Sequence, residues 1–197
     1  EGSWVVVFRH TPDIHQGGFI QILYVLLGHL SRITSIPLLV IFHIARLGAA
    51  LLMYIALYQL GAAIWTKIRA RKLFFAIATI GSGFGWFLSA IAGTSEFPDL
   101  ILAEAFPFYS SLMNVHFPLT LAFLALLLTA LITAFRPGAE LEPHSEQALP
   151  LASALSFGLA LLFPQALLPL GIAITLFVIF AAIQTRRLPL RLMRWLL

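Results

Sequence analysis

The sequence predicts an all-α protein, a polytopic transmembrane helix bundle of about five spans plus one interfacial helix. Three observations predict it. First, 60% of the 197 residues are hydrophobic and the mean hydropathy is +0.97. Second, only 10% are charged, against about 25% in an ordinary soluble domain. A chain this size cannot hide so much apolar surface from water, because a folded domain still exposes a large area. Third, the basic residues cluster beside apolar runs. Lys67, Arg69, Arg71 and Lys72 form one group, and Arg186, Arg187, Arg191 and Arg194 another. That is the pattern of cytoplasmic loops. The net charge of +4 and pI near 10.0 therefore speak for topology, and no nucleic-acid partner is expected. With no cysteine, a disulfide scaffold is excluded.

The whole of 1–197 reads as one membrane domain. Residues 1–35 form a polar outer segment followed by an interfacial helix. The apolar stretch from Gly18 to Leu30 covers about 20 Å as a helix, too little for a core about 30 Å thick. Residues 36–65 form the first span. Pro37 suits a first helical turn, and Trp65 is an aromatic anchor before the basic cluster. Residues 73–92 run back outward. Residues 93–116 make a loop holding Glu96, Asp99, Glu104 and His116 without a Lys or Arg. The segment 117–135 returns inward to Arg136 and Pro137, and a polar loop runs from Pro137 to Pro150.

Residues 151–185 contain Pro164 and Pro169. Two short spans, 151–163 and 166–185, hinged at Phe163-Pro164-Gln165, keep the arginine-rich tail inside. One kinked span would place it outside. Residues 1–35 and 93–116 then share the non-cytoplasmic side. A chain that starts at Glu1 without a signal peptide is expected to be a piece of a longer one.

Chemistry-bearing residues concentrate on that side. Arg9, His10, Asp13 and His15 lie within seven residues of each other. With Glu104 and His116 they supply carboxylates for general base work, or for a divalent cation, and imidazoles for a phosphate. No metal-binding spacing such as His-Glu-x-x-His is present. His43 and Arg46 stand three apart within the first span, on one helix face. Ionisable groups at such depth are functional candidates, and an arginine there suits a lipid-linked phosphate. Gly81-Ser82-Gly83-Phe84-Gly85 lacks the dinucleotide fingerprint. Gly81 and Gly85, four apart, are expected to mediate helix–helix contact.

Several strings carry a resemblance. They are Thr11-Pro12-Asp13-Ile14-His15, Leu27-Gly28-His29-Leu30-Ser31-Arg32, Phe42-His43-Ile44-Ala45-Arg46, Gly81-Ser82-Gly83-Phe84-Gly85-Trp86, Pro98-Asp99-Leu100 with Glu104-Ala105-Phe106, and Asn114-Val115-His116-Phe117-Pro118-Leu119. Across most of residues 1–135 the chain resembles a family of uncharacterised bacterial multi-pass proteins. These look like membrane glycosyltransferases of the GT-C type, similar to the dolichyl-phosphate-mannose mannosyltransferase group.

The resemblance implies transfer of a sugar from a polyprenyl-phosphate carrier on the non-cytoplasmic face of the bacterial inner membrane. It implies an acidic residue of the first outer loop as base or metal ligand. The family's usual carboxylate would precede Glu1, which leaves Asp13 and Glu104 as the catalytic candidates. Arg9, His15, His43, Arg46 and His116 are the candidates for binding the donor, and membrane lipid is the surrounding partner. A non-catalytic membrane subunit with Gly81 and Gly85 as its contact, and a lipid or small-solute transporter, are the alternatives.

Overall fold

The computed structural model describes residues 3–7, 16–18, 20–81, 83–102, 106–134 and 144–185. Among them there is no strand. A single antiparallel bridge joins Val6 to Gly18 through two backbone hydrogen bonds of 2.9 and 3.0 Å. All else is helical or connecting. The helices are α1 (Ile22–Thr34), α2 (Leu38–Ile64), α3 (Ile68–Ile80), α4 (Gly85–Ala92), α5 (Pro98–Ile101), α6 (Pro107–Leu112), α7 (His116–Ala134), α8 (His144–Leu162) and α9 (Leu167–Thr185). A 3₁₀ turn, Pro164–Ala166, links the last two.

The short α1 forms where expected. It is amphipathic, with Leu27 buried and Leu23 and Tyr24 packed inward, while Leu26, Leu30 and Ile33 are exposed. Ser35 ends it in the left-handed region at φ 56, and Pro37 starts α2 two residues later. A proline cannot continue the preceding helix, so the chain turns there.

The centre of the molecule is the α2–α7 pair. Met53, Ala56 and Leu57 of α2 bury against Ala122 and Ala125 of α7. Alanines on both sides let the two backbones approach closely, which suits packing by shape where solvent gives no hydrophobic drive. Toward the start of α2, Ile41 and Ala49 join Leu27 and Val115. On the other side of α7, Leu127 packs with Ala152, Leu155 and Leu159 of α8 and Leu170 of α9. Between α8 and α9 the helical run is interrupted at Phe163, followed by the 3₁₀ turn Pro164–Ala166.

The span count is lower than five. Two described helices, Leu38–Ile64 and the stretch His116–Thr133, are long and apolar enough to cross a membrane; α3 and α4 make a third if counted as one bent unit. The helices α8 and α9 have 19 residues each, and among the described residues their apolar windows, Pro150–Leu162 and Pro164–Leu176, are shorter than those of α2 and α7. Hydropathy reads runs of apolar residues and is blind to where a run is broken.

Three boundaries also differ. The expected span 73–92 begins earlier, at Ile68, and breaks between Ile80 and Gly85 with a bend of 41°. Its first turns take up Arg69, Arg71 and Lys72, and Arg71 Nε donates to the Trp65 carbonyl at 2.6 Å. The expected loop 93–116 contains α5 and α6, each opened by a proline at its first turn. The expected loop Pro137–Pro150 is helical from His144 onward, since Glu and Gln are good helix formers whatever their hydropathy.

Candidate functional site

Near the start of α2 stands an arginine with a tertiary hydrogen bond. Pro37 fixes where α2 begins, and Arg46 follows about 12 Å along the axis. Its side chain turns toward α6 and Nη1 donates to the Leu112 carbonyl at 2.8 Å. Leu112 is the last residue of α6, and terminal carbonyls lack helical donors and carry partial negative charge. The guanidinium therefore satisfies an acceptor that the helix cannot. Its Nε is buried and has no hydrogen-bond partner. A second tie lies one level deeper, where the Tyr54 hydroxyl donates to Ser111 Oγ at 3.2 Å, and Ser111 in turn donates to the Phe108 carbonyl at 2.6 Å.

His116 begins α7, four residues after Leu112. Its Nδ1 lies 2.6 Å from the Tyr24 hydroxyl of α1, and the two rings meet edge to face. With the phenol donating, the proton of the neutral ring sits on Nε2. Burial pushes the Tyr24 phenol above its ordinary value of 10.0, and a hydrogen bond from the His116 backbone acts more weakly in the other direction.

A raised phenol pKa favours the protonated form in the fold. The associated stability is therefore complete below 10.0 and is lost as pH rises through the higher folded value. Thermal unfolding in detergent is expected to be flat in pH up to about 10 and to fall above it. Tyr24→Phe is expected to flatten that alkaline limb. An unchanged alkaline limb in the variant would refute the assignment.

A third cluster surrounds Asp99. It is 8% exposed and its Oδ2 accepts the Gly85 N–H at 2.7 Å. Gly85 is the first residue of α4, so Asp99 reaches across from α5 to satisfy an N–H at a helix N-terminus. Gly83 and Gly85 are required by this approach. A Cβ on Gly83 would stand 3.1 Å from Asp99 Oδ2, and one on Gly85 would overlap Asp99 Oδ1. Of the two glycines expected at a helix–helix contact, Gly85 lies where α4 meets α5, and Gly81 does not. Gly81 closes α3, and Gly85 makes room for a carboxylate.

The structure places three of the expected site residues. Arg46 bonds the Leu112 carbonyl, and His116 pairs with Tyr24. His43 is exposed and meets its neighbour Phe42 edge to face, whereas Arg46 is half-buried. Asp13, Glu104, Arg9 and His15 lie outside the described residues. Tyr24 was not among the expected residues. It is separated from His116 by 92 positions, and nothing in its local sequence marks a partner that far away.

His29, expected on α1, stacks on Trp4 at 4.1 Å. Among the described residues no group of three His, Cys, Asp or Glu could hold a metal ion. They offer no fit for the divalent cation that the resemblance implies, and no step below uses one.

Comparison of the chain with protein-family models, with curated proteins and with solved structures finds no match.

Proposed function

We propose that the chain is part of an integral membrane transferase that binds a polyprenyl-phosphate-linked sugar at the end of the bundle where α1, α6 and the starts of α2 and α7 meet. One observation carries the reading. Arg46 is a half-buried guanidinium inside a helix long enough to cross a membrane, with one N–H on a backbone carbonyl and Nε left without a partner. Among the described residues no carboxylate forms an ion pair with it. An arginine held so is costly in a membrane and retains donors for an anion. A lipid phosphate entering sideways from the bilayer meets both needs, since its chain stays in lipid while its head reaches the guanidinium.

In this reading Arg46 holds the phosphate and neutralises the charge it gains as leaving group. A carboxylate, Asp13 or Glu104 by resemblance, takes the proton of the acceptor hydroxyl. The acceptor oxygen bonds to the anomeric carbon, the bond from that carbon to the phosphate oxygen breaks, and the carrier departs as polyprenyl phosphate. The inner membrane and the non-cytoplasmic side belong to the same proposal.

The test uses the purified chain in lipid nanodiscs. Retention of a polyprenyl monophosphate is compared with that of the polyprenol of equal length. The phosphate is expected to be held about tenfold more tightly or better, the worth of a charge-assisted hydrogen bond. Equal retention would end the proposal.

A further inference from the structure

The turn from α2 into α3 carries Lys67, Arg69, Arg71 and Lys72, while the sequence from Ile14 to Ser95 holds no Asp or Glu. Arg71 is committed to the Trp65 carbonyl. Lys67, Arg69 and Lys72 are exposed, and among the described residues none of the three has a hydrogen-bond or ion-pair partner. All four cations stand at the N-terminal end of α3, which has no acidic residue in its first turn and no side-chain cap. A helix N-terminus favours anions and disfavours cations, and like charges one turn apart repel. Positive charge is thus concentrated where the fold offers nothing to offset it.

Past the cations, the same side of α3 turns apolar. Arg69, Lys72, Leu73, Ala76, Ile77 and Ile80 share one face by helical spacing, and all are exposed. The opposite face is tied to α2, where Phe74 meets Trp65 and Phe75 meets Tyr54 and Tyr58. From Arg69 to Ile80 the exposed face runs about 16 Å, close to one leaflet of a core about 30 Å thick. It ends where Gly81 closes the helix.

We infer that this face of α3 binds an anionic phospholipid, its phosphate held by Arg69 and Lys72 and an acyl chain lying along Leu73, Ile77 and Ile80. Charge complementarity selects the headgroup. Each Lys or Arg at a membrane surface is attracted to anionic lipid, whereas a zwitterionic headgroup brings a further cation to a turn that is already positive. The leaflet-deep apolar face selects a lipid over a free anion. Trp65 is exposed at the same level, where an aromatic ring sits among headgroups. Trp65 stands about 28 Å along α2 from Arg46, so the site is separate from that guanidinium and does not depend on transfer chemistry.

The experiment titrates the full chain, purified in detergent, with phosphatidylglycerol or with phosphatidylcholine of the same acyl chains. Bound lipid is counted by native mass spectrometry. Phosphatidylglycerol is expected to be held about tenfold more tightly or better, from the attraction of two cations. Glycerol phosphate, which has the charge without the chains, should not compete.

Arg69→Gln combined with Lys72→Gln is expected to lower phosphatidylglycerol retention about tenfold and to leave phosphatidylcholine retention as it is. Both side chains are exposed, so the fold should survive, which circular dichroism checks. Arg32→Gln, at the end of α1, should leave the preference unchanged. Equal retention of the two lipids by the unaltered chain would overturn the anionic headgroup. Glycerol phosphate competing as well as phosphatidylglycerol would overturn the lipid. A preference undiminished in the folded double variant, or lost as fully in Arg32→Gln, would overturn the site on α3. Retention of polyprenyl monophosphate, read in parallel and expected to be unchanged in the double variant, separates failure here from failure at Arg46.

Discussion

Gly85→Ala is expected to destabilise the protein by about 2–4 kcal/mol. The new Cβ would overlap Asp99 Oδ1 and stand 2.6 Å from Phe97 Cβ. Asp99 cannot retreat without giving up the Gly85 N–H at 2.7 Å. The loss combines a hydrogen bond to a charged acceptor, about 1.5–3 kcal/mol, with the strain of overpacking, about 1–3 kcal/mol. The two overlap and do not sum in full, because one displacement relieves both.

In detergent the melting temperature should fall on the order of 5–10 °C. Gly48→Ala is the control. It sits within α2 with nothing near its Cβ position, and alanine is the better helix former. Asp99→Asn keeps an acceptor of the same shape and should cost less than Asp99→Ala. Melting of Gly85→Ala indistinguishable from that of Gly48→Ala would show that Asp99 does not hold the break between α3 and α4.

Arg46→Ala is expected to weaken retention of polyprenyl monophosphate about 10–100-fold, while polyprenol retention stays constant. The range follows from removing one charge-assisted hydrogen bond worth about 1.5–3 kcal/mol. The variant also strips the Leu112 carbonyl of its donor, so stability should fall as well. Arg46→Lys separates the two effects. It keeps the charge but replaces a planar fork by a compact ammonium, and should recover part of the phosphate preference. His43→Ala, on an exposed side chain, should change neither reading. A variant series in which phosphate retention follows melting temperature, and not charge at position 46, would assign Arg46 to structure alone.

What could be read in the sequence was what a run of residues decides locally. The spans around α2 and α7 were legible because each is an uninterrupted apolar helix with a marked end, Pro37 and Trp65 for one and Arg136-Pro137 for the other. The helix break at Phe163-Pro164-Gln165 was legible because proline removes a helix donor. Arg46 stood out because a charge within an apolar run is costly.

The break after Ile80 was not legible. Glycines four apart carry the same pattern whether they admit a helix or a carboxylate, and the carboxylate stands 14 residues away. Five crossings were expected because two short spans in residues 151–185 keep the arginine-rich tail on the cytoplasmic side, a rule that counts charges and does not measure helices. The pairing of Tyr24 with His116 was beyond reach for a related reason, since only tertiary packing brings them together.

That pairing sets an order of events. Tyr24 leaves the ribosome 92 residues ahead of His116. At about 5–20 residues per second, the phenol waits roughly 5–20 s for its imidazole. Arg46 likewise precedes Leu112 by 66 residues. During that interval α1 and α2 are already made, yet neither of their polar anchors has its counterpart. Both gaps close within a few residues of each other, when Leu112 to His116 emerge. Maturation of this end of the molecule is therefore a single event in synthesis, with the nascent chain carrying an unanchored arginine and tyrosine until then.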